Sequence, residues 1–425
     1  MNTSWSTRLK FDILSPRTDG TDVPFPPGDM SRRVLFFGMA ALLGLSIAAG
    51  RTLYTERDEP DVAIEAVDER VMDWSKLDAG AESYYRFEPG STPEVQATIR
   101  HAVETGRAVR VRGRGHSTNT SSLPRPDELL IITRKLNHYR TLDSRTVVFG
   151  AGKTLYGIRL WLGQHGYGLP VYNMGEVGPS LGGYISAGGI GVGSREHGGF
   201  WENVEWVGLV DGQGRYHRIG RDDERFPWLF GSMGQLGVIV EAALRIVPVQ
   251  GRPQRSLPRE GHVPAWGEKQ PAQWEQYLQT FDSYHLYSVA VFVPDSMVRR
   301  VTAELHDFFR PYESVFWLRR TLTLPIRFRD LNPPLLYPEQ ESFTAVGIEF
   351  VPRETAHAEM ALTVDEAFGE FVRERGYRRY IQMELTRDPV ALAQYFGSEV
   401  WDAFYGMKQE HDPHGLFGQG LFQGQ

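Results

Sequence analysis

The strand-like run Ala108-Val109-Arg110-Val111 passes straight into Arg112-Gly113-Arg114-Gly115-His116-Ser117, and this junction constrains the fold more than any other feature. Glycine is what a backbone needs where it turns sharply or comes close to a ligand. Two glycines at alternate positions let successive amides converge on one anion, and Ser117 and Thr118 add hydroxyl donors. His116 at the tip then lies beside whatever the loop holds. Taken alone, such a histidine is more often a surface hydrogen-bonding residue. The chain has 45 glycines, many of them between 113 and 237, which suggests a cofactor site lined by main chain.

Two rival phosphate sites fail on spacing. Val147-Val148-Phe149-Gly150-Ala151-Gly152-Lys153-Thr154 imitates a phosphate loop, with Val207–Asp211 as its magnesium partner, but the first glycine such a loop requires is Val147. Gly113-Arg114-Gly115-His116-Ser117-Thr118 lacks the third glycine of a dinucleotide fingerprint, and Gly191-Val192-Gly193 has no glycine where one must follow. The chain has no cysteine, which removes disulfides, thiolate metal sites and cysteine nucleophiles, and no metal site is expected. A formal charge of −7 without a basic run argues against nucleic acid as a partner and leaves a small-molecule substrate.

Near the N-terminus, Ser31-Arg32-Arg33 opens an uncharged apolar stretch over 34–50. Twin arginines before such a stretch resemble an export signal for proteins that fold around a cofactor, with Ser46-Ile47-Ala48 as a cleavage site and Met30 as an alternative start. An uncleaved membrane anchor is the alternative. Residues 1–51 are therefore expected to be a leader and 52–80 a linker.

Periodicity then predicts a helix with Thr92 as N-cap, Val95, Ile99, Ala102 and Val103 on one face, and Gly106 as its stop. Strands are expected at 108–111, 129–133, 146–150, 204–210 and 238–247, with a helix over 155–164. From Gln250 a proline-rich connection leads to an α+β region: a helix at 274–281, a strand at 287–293, a helix after Asp295, a strand at 344–351 and a helix over 354–374. The domains read as 81–250, a second domain over 251–390, and a C-terminal segment 391–425. The aromatics Trp274, Tyr277, Phe281, Tyr284, Phe292 and Phe350 are candidates for a substrate pocket, though more are expected in the core.

The order helix, strand, Arg-Gly-Arg-Gly-His-Ser resembles the FAD-binding region of the vanillyl-alcohol-oxidase (PCMH-type) superfamily, and within it the cytokinin-dehydrogenase-like enzymes. Three further segments agree in order: Gly182-Gly183-Tyr184-Ile185-Ser186-Ala187-Gly188-Gly189-Ile190 with His197-Gly198, then Gly231–Ile239, then Phe396-Gly397, Trp401, Phe404, Lys408, Asp412-Pro413, Leu416 and Gly420. The resemblance implies an α+β fold with a two-subdomain PCMH-type FAD-binding domain, a substrate cap and a C-terminal return segment. It implies FAD bonded covalently to His116. Arg112, Gly113, Arg114, Gly115, Ser117 and Thr118 would hold the pyrophosphate, and Gly182, Gly183, Ser186, Gly189, Gly237 and Ile239 would line the cofactor. A second, cysteinyl bond to the flavin is impossible without cysteine.

The implied reaction moves a hydride from a C–H next to an amine or alcohol to the flavin, with Glu176 or His197 as the base. Tyr184 stands where the family has threonine, Leu421 where it has glutamine, and Gly175 where cytokinin dehydrogenases carry the proton-accepting aspartate. Glu176 reads equally as an ordinary loop acid. The alternatives are a sterol-reductase-like enzyme with dissociable FAD and a flavin-free exported binding protein.

Overall fold

The computed structural model describes residues 60–74, 80–173, 178–264, 287–336, 342–380 and 389–417. The leader, Glu176 and the aromatics at 274, 277, 281 and 284 lie outside the described residues. The expected α+β character holds: three main sheets are interleaved with helices.

The first sheet contains β1 (Glu65–Asp68), β2 (Ser83–Phe87), β3 (Val109–Arg112) and β4 (Leu129–Ile132), in the order β1-β2-β4-β3. β1 falls in the stretch expected to be a linker and runs antiparallel to β2, while β4 is parallel to both β2 and β3. Between β2 and β3 lies α1 (Thr92–Thr105). Its N-cap is Ser91 rather than Thr92. Ser91 has the extended backbone a cap requires, its hydroxyl accepts from Glu94 N at 3.4 Å, and Glu94 accepts in return from Gly90 N at 2.8 Å. Gly106 ends the helix at φ +64°, as expected. The predicted stripe is real: Val95, Ile99 and Ala102 pack into a core with Val109, Leu129, Ile131, Val238, Val240, Leu416 and Phe417, and Val103 is partly buried against it.

The second sheet comprises β5 (His138–Thr141), β6 (Thr146–Gly150), β7 (Val204–Val210), β8 (Tyr216–Gly220), β9 (Val238–Arg245) and β10 (Glu260–His262), in the order β10-β5-β6-β9-β7-β8. Helices α2 (Leu155–Gln164) and α3 (Leu181–Ser186) lie between β6 and β7 in the chain. The false phosphate loop is a tight corner here. Thr154 caps α2 by accepting from Gly157 N at 2.9 Å, and the Lys153 ammonium is buried and donates to Pro264 O at 3.0 Å.

The third sheet holds β11 (Tyr287–Pro294), β12 (Phe316–Ile326), β13 (Phe343–Pro352) and β14 (Arg378–Arg379), ordered β12-β13-β11-β14 and antiparallel throughout. Its helices are α4 (Val298–Phe309) and α5 (Met360–Arg375). α5 starts later than its periodicity suggested, because a separate turn occupies Thr355–His357. Phe292 and Phe350 are core residues at 1% exposure and do not line the large cavity described below.

The last helix, α6 (Ser398–His411), returns the chain to the first sheet, where Val109 N donates to Leu416 O at 2.8 Å.

A methyl group on Gly152 would lie 1.8 Å from the Thr133 carbonyl oxygen, and backbone cannot swing aside as a side chain can. Gly152→Ala is expected to lower stability by about 1–3 kcal/mol, the usual penalty for overpacking. A lower urea midpoint at unchanged slope would show it.

Candidate functional site

Between β3 and residue 118 the chain crosses the wall of a cavity of about 320 Å³. The loop's shape follows from its residues. Gly115 has φ +64°, and a side chain there would collide with the Arg112 guanidinium at 2.4 Å. Arg112 itself lies beneath the loop, 1% exposed, donating to Met72 O at 2.7 Å and to Ser122 Oγ at 3.3 Å. It supports the loop from below and does not line the cavity.

Ser117 Oγ donates to Asp73 Oδ2 at 2.9 Å and meets Ser122 Oγ at 2.7 Å, and Thr120 N donates to the same Asp73 oxygen at 2.9 Å. Asp73 is fully buried, so its carboxylate draws the loop's far limb inward. Trp74 N donates to Gly115 O at 2.9 Å, and the indole stacks on His116 with centroids 5.1 Å apart and planes 11° from parallel.

The facing wall is α3 and the segments around it. Ser180 caps α3, accepting from Gly183 N at 3.3 Å, and Gly182 N donates to Ala151 O at 2.9 Å. The turn at 231–237 is tied to the end of α3 by Gly231 N and Met233 N, both donating to Ser186 O at 3.0 and 2.9 Å. Met233 holds φ +53°, a left-handed conformation costly for a side-chain-bearing residue, at the cavity surface.

Gly113, Arg114, Gly115, His116, Ser117, Thr118, Gly182, Gly183, Ser186, Gly237 and Ile239 thus meet around one cavity, whereas Arg112 and Gly189 stand outside its lining. A side chain at Gly189 would enter the Tyr184 ring at 2.3 Å, so that glycine makes room for Tyr184. The Tyr184 hydroxyl donates to Ile190 O at 2.7 Å, and Tyr380 from beyond β14 donates to Gly188 O at 3.1 Å. Burial pushes both phenols well above their usual range, so they act here as hydrogen-bond donors. His197 is exposed at the end of the short helix Ser194–His197, and the fold does not bring it into the cavity.

Several contributors were not found from sequence. Asp73 and Trp74 sit in the stretch expected to be a linker, and Asn119, Ser121 and Ser122 lie just past the motif. Ser288 and Glu349 reach the cavity from the third sheet, and Glu349 is the one carboxylate among the described lining residues. Ser288 faces Glu349 across β11 and β13. On the other side a bulge between Leu318 and Arg320 sets Arg320 opposite Glu349, and its guanidinium donates to Glu349 Oε1 at 2.8 Å and also to Oε2. Glu349 is 7% exposed.

The chemistry of these walls suits an adenine–flavin dinucleotide. Glycines and hydroxyl-bearing residues line the cavity from two sides, and the charged side chains among the described lining residues include Arg110 and Arg114 against a single acid. A family model described as an FAD binding domain matches residues 85–220. Residues 85–220 are therefore an FAD-binding domain of the type carried by FAD-dependent oxidoreductases, and FAD is the cofactor, as expected.

Among known proteins, the chain is 32% identical over 186 residues to a D-arabinono-1,4-lactone oxidase of Eremothecium gossypii, covering 41% of this chain and 34% of that one. It is 29% identical over 184 residues to the D-arabinono-1,4-lactone oxidase of Saccharomyces cerevisiae, with the same coverage of both chains, 41% and 34%. It is also 29% identical over 142 residues to an FAD-linked oxidoreductase of Penicillium crustosum, covering 33% of this chain and 31% of that one. The chain thus spans about a third of the length of these curated relatives.

A methyl group on Gly113 would fall 1.9 Å from Ser180 Oγ. Gly113→Ala is expected to push the two walls apart and lower the fraction of protein that takes up FAD by roughly tenfold, the effect of losing about 1.4 kcal/mol of binding. The ratio of flavin to protein absorbance after gel filtration, with circular dichroism to verify folding, measures it.

Proposed function

We propose that the protein is an FAD-dependent oxidoreductase that oxidises a C–H bond beside a hydroxyl group of a small polar substrate, such as a sugar-derived alcohol or lactone. One observation carries the reading. One cavity is lined by residues of 113–118 and, facing them, by residues of 182–187 and 233–239, and Ser288 and Glu349 join the lining from the third sheet. FAD, when bound, supplies the two-electron acceptor. The protein's own side chains do the rest.

Removing a hydride from a carbinol carbon leaves a hydroxyl proton that a base within hydrogen-bond reach must take. Among the described residues, Glu349 is the carboxylate at the cavity, aimed by Arg320, with Ser288 beside it as a further hydroxyl partner. The names of the matched lactone oxidases support a C–H beside oxygen over one beside an amine nitrogen.

His116 is the residue we assign to a covalent bond with the flavin. Its support is the imidazole's place at the cavity wall and the stacked indole of Trp74, which fixes the ring's orientation. The twin arginines Arg32-Arg33 and the apolar stretch after them support export or anchoring as part of the same proposal.

The test is anaerobic mixing of the purified protein with aldonolactones, polyols or amines while flavin absorbance is followed. Bleaching by the hydroxyl compounds is expected; bleaching by amines alone would overturn the substrate class. Glu349→Gln is expected to keep its flavin and to slow reduction by roughly 10²–10⁴-fold.

Acid precipitation separates the tether from the activity. Flavin should stay with the protein and be lost in His116→Ala. Flavin freed by acid from the unaltered protein would remove the tether and favour a sterol-reductase-like, dissociable cofactor. Protein purified without any flavin would favour a binding protein.

A further inference from the structure

Away from the cavity, one ligand atom each of Asp211, His217 and His411 lies within 4.8 Å of the others. Asp211 follows the last residue of β7, His217 lies on β8, and His411 ends α6. Asp211 is fully buried, with Oδ1 accepting from Gln213 N and Arg215 N at 2.9 Å each. Its other oxygen, Oδ2, accepts from Arg215 Nε at 2.8 Å and meets His217 Nε2 at 2.7 Å.

His411 is the unexplained member. It is 2% exposed, and among the described residues neither ring nitrogen has a hydrogen-bond partner. A buried polar group left unsatisfied costs about 1–3 kcal/mol, so native structures nearly always give it a partner. Its ring lies 5.4 Å from that of His217. Burial foremost, with His217 and Arg225 adding to it, favours the neutral imidazole, the form that offers a lone pair. Of the two nearby guanidiniums, Arg225 has its own carboxylate in Asp223, whereas Arg215 reaches Asp211 itself through Oδ2.

We propose that Asp211 Oδ2, His217 Nε2 and a ring nitrogen of His411 bind one divalent first-row cation of the zinc class, with water completing the shell. Two imidazoles and a carboxylate are the ligand types such an ion takes, at about 2.0–2.2 Å each, so the three side chains draw together on binding. His217 gives up its bond to Asp211, and its proton moves to the tautomer at Nδ1. Nothing in the sequence suggested this site, because Asp211, His217 and His411 share no spacing motif.

The ion would fasten the β7–β8 hairpin to the end of α6. That joint is already close: Gly212 N donates to His411 O at 2.8 Å. The next residue, Asp412, accepts from Leu416 N at 2.8 Å and Phe417 N at 2.9 Å, and Phe417 reaches the cavity. The metal's role is therefore bracing, away from the redox chemistry.

The experiment uses the full chain, stripped with a chelator and dialysed, then titrated with Zn²⁺ against a chromophoric competitor and separately with Co²⁺. We expect one equivalent bound with a micromolar or tighter Kd, tetrahedral d–d bands with Co²⁺, and a Tm that rises by a few degrees with saturating Zn²⁺. His217→Gln, at a partly exposed position that tolerates change, should weaken binding at least tenfold and abolish the Co²⁺ bands, and His411→Asn should do the same. Binding weaker than millimolar, or binding unchanged in His217→Gln, would overturn the proposal. None of these readouts depends on the flavin reaction.

Discussion

The contact on which the cavity depends is the approach of Gly113 to Ser180, too close for any side chain at position 113. The same Ser180 hydroxyl accepts the Gly183 amide in the first turn of α3, so one oxygen fixes both the start of that helix and the distance between the walls. On the far side of the loop, Arg112 occupies the volume a side chain at 115 would need, and Gly115 takes a left-handed conformation over it. The loop is held between a hydroxyl on one side and a buried guanidinium on the other. Its amides are thereby fixed before any ligand arrives, which reduces the ordering cost of binding.

The end of the described chain reinforces this arrangement from behind. Lys408 and Asp412 form a buried ion pair at 3.0 Å, and Lys408 also donates to Gln235 O at 3.3 Å, in the segment that lines the cavity. Burial lowers the lysine's proton affinity despite the aspartate beside it. Such a pair adds little net stability compared with an apolar replacement, yet removing one partner typically costs about 3–5 kcal/mol. Its value here is positional. Asp412 also accepts the amides of Leu416 and Phe417, and Leu416 in turn accepts from Val109 at the start of β3. The C-terminal pattern of Lys408, Asp412 and Leu416, read in the sequence as a motif, is this clamp.

Local signals were legible in the sequence and long-range ones were not. Val95, Ile99 and Ala102 at helical spacing revealed α1, and the valine-rich run at 204–210 revealed β7. The Arg112–Thr118 loop could be read as ligand-facing because glycine spacing is a property of neighbours along the chain. Asp73 and Trp74 could not, since a charged stretch without periodicity gives no sign that one carboxylate will be buried against Ser117 and Thr120. His197 misled for the opposite reason. A histidine inside a glycine-rich motif looks functional by association, but it ends a four-residue helix facing outward. Arg112 lies in the motif but outside the cavity lining, because its guanidinium turns beneath the loop to Met72 and Ser122, partners that no local pattern announces.

Glu349 shows how the labour is divided between the sheets. The family match ends at residue 220, before any residue of the third sheet, so it covers the 113–118 and 182–187 walls and leaves out the acid at 349. Cofactor recognition needs amides at fixed places, and a short stretch of chain with the right glycines can supply them. The proposed substrate contacts come from strands that are neighbours only after folding: Arg320, Glu349 and Ser288 lie on β12, β13 and β11 and come into line through register and one bulge. A slip of one residue in either pairing would turn Glu349 to the other face of its strand and leave Arg320 without its carboxylate. In the proposed function the choice of substrate therefore rests on the register of these three strands, whereas the cofactor motifs are set by spacing along the chain.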